Sequence, residues 1–321
     1  MTRIAFDGKY EVSIADGEAA ADLFSERTFV QYQSLVQKKT AINFVLMVLP
    51  SRKLLISQTF SSSSTSAEWI SPITGAFGAM TSSEYVTMSE IEFFITSVSK
   101  FIFSSLGGEK ISWRLPPLYY RNKVHTKLQN VLYRLGWNVE DYDLNFHLPI
   151  VDYESFRSNL SSSKRRELNR VTKTAAEFSV AATYDQRKAV YDIIKRNRDS
   201  QGYPMTMSWD SVLSLANAID DKARFYMLER DGEILAGAIC LVVDPETLYV
   251  FYWGENPEFR NDSVIVKLAE GIYLEALRSK FLILDIGTST NVSIPNQGLI
   301  SFKENIGCLV SQKLTYVYYG R

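Results

Sequence analysis

Apolar residues recur along this chain with two periods. In residues 88–106, Ile91, Phe94, Ile95, Val98 and Ile102 fall three or four apart, which predicts an amphipathic helix stopped by Gly107 and Gly108. The same spacing predicts helices over residues 18–23, 29–38, 125–135, 152–160, 164–177, 186–198, 209–219, 263–279 and 299–305. Short apolar or alternating runs predict strands over 43–49, 54–60, 110–115, 141–148, 223–229, 233–243, 247–253, 281–286 and 308–318. Asp231-Gly232 between two such runs is a strong hairpin signal. The Ser/Thr run at 61–66 reads as a mobile surface loop, and Pro72, Gly75 and Gly78 mark a tight one.

Pro149 closes the strand over 141–148, and a fresh helical pattern starts just after it. A boundary near Ile150 therefore divides the chain into domains of residues 1–150 and 151–321. The second has the clearer order: helices, an antiparallel meander of three strands, a helix, a buried strand, a short helix and a last strand. That order is an α/β plan with a mixed sheet.

Composition removes several classes. Lys and Arg number 35 and Asp and Glu 36, a net charge of −1, so a general nucleic-acid coat lacks its basic excess. Two His and two Cys supply neither a His-rich metal site nor a disulfide framework, so no metal is expected. The longest apolar stretch, 41–50, is interrupted by Asn43 and is half the ~20 residues a membrane span needs. The first residues lack a signal-peptide core, and a cytoplasmic location is the expectation. Nucleophile-elbow, P-loop, dinucleotide and zincin motifs are missing from the sequence.

Three stretches carry a family resemblance: the basic helix opening at Leu160, with Lys164, Arg165, Arg166 and Arg170; residues 251–260, Phe-Tyr-Trp-Gly-Glu-Asn-Pro-Glu-Phe-Arg, with the helix behind them; and Phe302-Lys303 followed by Gly307. In this order they resemble the GNAT acyltransferase superfamily and, within it, FemAB-like proteins related to Fem-type peptidyltransferases. The Pro/Gly loop at 71–78 is similar to one in the first domain of that group. The resemblance implies two tandem GNAT-like domains, each a mixed, mostly antiparallel sheet flanked by helices. It implies transfer of an acyl or aminoacyl group onto an amine of a cell-envelope or polysaccharide precursor. Acetyl-coenzyme A or another acyl-coenzyme A would be the GNAT donor, and aminoacyl-tRNA the Fem-type donor. The acceptor would be a small anionic or nucleotide-linked molecule, with tRNA as a partner.

The resemblance places a donor loop at Arg260, Asn261, Ser263 and Val264. A GNAT loop there is Gly-rich, so that backbone N–H groups cradle pyrophosphate at a helix N-terminus. This chain has no Gly there and adds Asp262, which opposes an anion. Arg165, Arg166, Arg170, Tyr252, Asn291 and Lys303 are the expected substrate-binding residues. Arg166, Arg170 and Lys173 share a helical face that suits phosphate, though such a face is also what solvent favours. Lys303 would meet an anionic substrate by implication of the family, and otherwise be an ordinary exposed Lys. Acyl transfer needs a proton acceptor. Asp285 and Lys303 are the catalytic candidates, while His125 and His147, distant in sequence, read as structural. The alternative function is a non-catalytic binding protein that kept the fold and lost the donor loop.

Overall fold

A computed structural model describes residues 2–15, 22–120, 122–203 and 205–320. The predicted helix over 18–23 lies largely outside them. The chain divides into two compact units: residues 1–144 with 292–294 and 311–321, and residues 145–291 with 295–310. It passes between them inside a strand, after Leu144, rather than at Ile150. Its last residues, from Ser311 on, rejoin the first unit instead of completing the second.

Unit 1 begins with strands β1 (Thr2–Phe6) and β2 (Tyr10–Ile14), which the hydrophobic pattern did not announce. Helix α1 (Arg27–Gln37), β3 (Lys39–Val48), β4 (Lys53–Ser63), β5 (Glu68–Ser71) and the short β6 (Thr81–Ser82) follow. Next come α2 (Met88–Ser105), β7 (Lys110–Arg114), α3 (Asn122–Arg134) and β8 (Asn138–Pro149). The sheet runs β1-β2-β3-β4-β5-β7 and continues to the C-terminal β16 (Leu309–Tyr318). All these neighbours are antiparallel except β5 and β7, which α2 joins in a parallel crossover. Thr87 starts α2 through a capping box with Glu90. The predicted stripe Ile91, Phe94, Ile95, Val98 and Ile102 is buried on Phe44, Phe60 and Trp113.

The Ser/Thr run is not a loop throughout. Ser61 and Ser62 are interior residues of β4, and the chain turns only at 63–66. Serine hydroxyls find acceptors on neighbouring backbone, as Ser62 Oγ does on Ser66 O at 2.9 Å. A polar run can therefore be buried as a strand.

Unit 2 opens with α4 (Tyr153–Asn159) and α5 (Ser162–Thr172). Strand β9 (Glu177–Val180), α6 (Tyr184–Ser200) and α7 (Trp209–Ile219) lead to β10 (Ala223–Arg230), β11 (Glu233–Asp244) and β12 (Thr247–Glu255). Helix α8 (Val264–Arg278), β13 (Ile283–Thr288), the two-residue strands β14 (Thr290–Asn291) and β15 (Ile294–Pro295), and α9 (Gln297–Asn305) complete it. Its sheet order is β8-β13-β12-β11-β10-β9, antiparallel except for β12 and β13, which α8 joins in parallel. Each unit thus repeats one plan, a meander closed by a parallel β-α-β crossover. The central strands are apolar on both faces, with α5 and α8 covering one and α6 and α7 the other.

One helix ends early. The helical spacing predicts it over 164–177. Here α5 stops at Thr172, Ala175 is exposed with φ of 53°, and Glu177–Val180 pairs with the edge of β10. The backbone partner offered by β10 overrides the helical spacing.

Candidate active site in the second unit

β12 and β13 pair only from Thr247↔Ile283 to Tyr249↔Asp285. Beyond Tyr249, β12 runs on to Glu255 with no strand, among the described residues, on that edge. Phe251 is bulged out of the β11 register, since Val250 and Tyr252 face the consecutive residues Cys240 and Ile239. The sheet therefore opens at the carboxyl end of its central strand, where open α/β sheets place ligands.

Glu255 stands at that opening. The strand alternation puts it on the face of Trp253, toward α5 and α8. The Ile265 N–H, in the first turn of α8, faces its carboxyl group and favours the charged form. Arg260 Nε lies 3.6 Å from Oε1, and the Lys164 ammonium adds attraction. Oε2 is buried without a partner among the described residues. Burial dominates and pushes the carboxyl up to about 7, against the pull of Arg260, Lys164 and Ile265. Lys164 also bridges Glu167 at 2.7 Å and lies 5.4 Å from the centre of the Phe302 ring, which packs edge-on against Trp253. The three stretches singled out in the sequence thus meet here, through Lys164, Glu255, Arg260 and Phe302.

The residues expected at the site distribute differently. Of the donor loop, Arg260 is exposed and also donates to Ser200 Oγ at 3.1 Å. Ser263 takes a left-handed conformation, φ 60°, and its Oγ accepts from Arg170 at 3.1 Å; the same guanidinium reaches Asn261 O at 3.5 Å. Val264 is fully buried in the apolar core and offers a ligand no side chain. Asp262 lies 3.6 Å from Arg230. Of the basic helix, Arg170 reaches the loop, Arg165 caps the carbonyls of Ser158 and Leu160 at 3.1 Å each, and Arg166 is exposed. Tyr252 is buried on the other face with its hydroxyl on Thr206 Oγ1, and burial raises its pKa. Asn291 is exposed in β14.

Asp285 and Lys303 form a separate, deeper cluster, each 1% exposed. Asp285 Oδ1 accepts from Asn145 Nδ2 and Gly287 N, both at 2.8 Å. Lys303 Nζ donates to the carbonyls of Gly287 and Thr288 at 2.8 and 3.0 Å. It is neither the exposed cation nor the surface Lys that its sequence context suggested. Four CH2 groups let an interior helix residue reach carbonyls freed where β13 bulges at Gly287, φ 76°. His147 also belongs here, paired with Asp285 across β8 and β13. Burial lowers its pKa and Asp285 opposes that shift. His125, by contrast, is fully buried in unit 1 with Nδ1 2.7 Å from Tyr120 O.

Glu255 escaped the sequence reading although the signal was present: two residues past Trp253, it is an acid on the inward face of an apolar strand. Among the described residues, no group of three or more His, Cys, Asp or Glu side chains is placed to hold a metal. No described helix is long and apolar enough to cross a membrane.

These features define a GNAT/Fem-like fold with a repeated α/β unit. The chain superposes on FemX with a TM-score of 0.73 at 11% identity, over 93% of this chain and 92% of that one. The C-terminal domain of a putative lysylphosphatidylglycerol synthetase from Agrobacterium fabrum matches with a TM-score of 0.54 at 13% identity, over 83% and 81%. A tandem GNAT protein from the clavulanic acid biosynthesis pathway matches with a TM-score of 0.53 at 8% identity, over 91% and 87%. No protein-family model matches the chain, and no curated protein sequence does.

Proposed function

We propose that the protein is an N-acyltransferase that moves an aminoacyl group from an ester donor of the aminoacyl-tRNA type onto an amine of a cell-envelope or polysaccharide precursor. In this reading the amine nitrogen attacks the carbonyl carbon, the C–N bond forms and the C–O bond to the donor ribose breaks. Glu255 takes the amine proton and returns it to the leaving alkoxide. A carboxylate whose pKa lies near neutrality is matched to that exchange. Arg166 and Arg170 stand on the basic helix as contacts for phosphates of donor or acceptor, with Arg170 already anchored to the loop. The likeness to FemX over nearly the whole chain supports transfer chemistry, though a fold alone does not fix function.

The observation that carries the choice of donor is the half-buried Glu255 carboxyl group facing the start of α8, beside Arg260 and the Ile265 N–H. A coenzyme A pyrophosphate needs the free N–H groups of that helix start. Here an acidic side chain faces that helix start, and its charged form repels phosphate. The same closure favours a second reading, a binding protein without transfer activity.

The test is incubation with aminoacyl-tRNA or acetyl-coenzyme A and a panel of amine acceptors, with products identified by mass spectrometry. Amide formed from aminoacyl-tRNA alone supports the proposal. Amide from acetyl-coenzyme A replaces the donor, and no amide from either donor leaves the binding-protein reading.

A further inference from the structure

We propose that unit 1 carries an oxyanion-binding site at the carboxyl end of β7, where Arg114 and Thr315 together hold a carboxylate or phosphate group. It rests on unit 1 alone and is independent of the transfer chemistry assigned to unit 2.

Arg114 is the last residue of β7, and Thr315 lies directly opposite it on β16. Directly opposed residues of an antiparallel pair present their side chains on one face, with Cβ atoms ~5 Å apart. That face is the polar one. Ile111 and Trp113 of β7, with Leu314 and Tyr316 of β16, turn the other way into the apolar core.

Among the described residues, both side chains are left unpaired. Arg114 is half-buried, its Nε is buried without a partner, and its guanidinium makes no hydrogen bond or ion pair among the described residues. Thr315 is 4% exposed, and its Oγ1 is likewise buried without a partner. Native proteins rarely leave one such group unpaired, and here two lie side by side. On the neighbouring strands, Glu68 and Glu140 hold Lys110 at the opposite end of β7, roughly 13 Å away along the strand. Among the described residues, no carboxylate pairs with Arg114.

The chemistry of the missing partner follows from the donors. A guanidinium fork and a hydroxyl match a group with several acceptor oxygens and negative charge. Lys313, two residues before Thr315 on the same face, adds a second buried cation. The position is favourable as well. β5 and β7 run parallel, so their carboxyl ends open side by side into the loops that follow Ser71 and Arg114. Gly78 N donates to Arg114 O at 2.9 Å and binds the first of these loops to the strand end. Open parallel strands take ligands at that end.

The experiment is calorimetric titration of the full chain with inorganic phosphate and, separately, with acetate. Wild type, Arg114→Gln, Thr315→Val and Thr315→Ser are compared. Saturable binding of phosphate alone identifies a phosphate site, and of acetate alone a carboxylate site. The expected result is one of these, weakened about tenfold or more in Arg114→Gln, where the charged fork is lost. Thr315→Val, which keeps shape and loses the hydroxyl, is expected to weaken binding severalfold, and Thr315→Ser to retain it. Circular dichroism checks that each variant is folded, and the Thr315 pair decides the matter should Arg114→Gln fail to fold. Absence of saturable binding in wild type overturns the proposal. So does equal affinity in wild type and Arg114→Gln, or, where that variant is unfolded, in wild type and Thr315→Val.

Discussion

The buried ammonium of Lys303 donates to the carbonyl of Gly287 at 2.8 Å, tying α9 to the point where β13 bulges. This bond, with its companion to Thr288, gives Lys303 a structural task whether or not it also senses substrate. Lys303→Met keeps the apolar stem and removes both bonds. Hydrogen bonds to charged groups contribute ~1.5–3 kcal/mol, so the variant is expected to lose about 3 kcal/mol in denaturant unfolding. A solvent-exposed Lys would change stability by no more than about 0.5 kcal/mol.

Glu255 gives stability a pH dependence of opposite sign to that of an ordinary paired carboxylate. Its folded pKa, about 7, is raised above the 4.5 of the free side chain. The folded state therefore holds a proton that the unfolded state has released between those values. The contribution is fully present below pH 4.5 and is lost as pH rises to about 7. The upper bound on that loss is about 3 kcal/mol. Glu255→Gln keeps the size of the side chain and removes the ionisation. The variant is expected to exceed wild type in stability at pH 8, by about 1–2 kcal/mol, and to match it at pH 4.5. Paired thermal melts across pH 4–8 check this.

The donor loop lacks glycine and carries Asp262, so Asp262→Gly is the simplest repair toward a coenzyme A site. Asp262 is half-exposed and lies near Arg230, whereas the Glu255 carboxyl group faces the start of the helix. Asp262→Gly is accordingly expected to leave acetyl-coenzyme A binding undetectable by calorimetry. Binding that appears in this single variant would show that charge at 262, not the Glu255 side chain, keeps the cofactor out.

Arg166 has no hydrogen bond or ion pair among the described residues and lies exposed on α5. Arg166→Ala is expected to change stability by less than about 0.5 kcal/mol. It is expected to weaken binding of an anionic donor or acceptor, an effect that added salt diminishes. A loss of stability without loss of binding would make the residue structural.

Much of this architecture was readable in advance because helical and strand periods reflect burial. The stripe of α2, the hairpin at Asp231-Gly232 and the buried run of β13 all follow from which residues meet the core. What escaped depended on partners distant in sequence. β9 exists because β10 offers an edge, and Ser61 is interior because a neighbouring strand's backbone accepts its hydroxyl. His147 joins Asp285 across a pairing spanning well over a hundred residues. At the candidate site, the three relevant segments were found, but the particular side chains were not. Lys303 looked like a free cation because nothing local reveals two carbonyls waiting at Gly287 and Thr288. Glu255 was passed over within a stretch that had been singled out, since only the α8 helix start gives its carboxylate a setting.

The central claim is that Glu255 accepts the amine proton during transfer, and the rate of amide formation against pH tests it most directly. Under saturating aminoacyl donor, wild type is expected to gain activity as Glu255 ionises, with an inflection near pH 7. Glu255→Gln is expected to be slower by about 10²-fold or more, with that inflection gone. Glu255→Gln running at the wild-type rate, with the same inflection, would contradict the account.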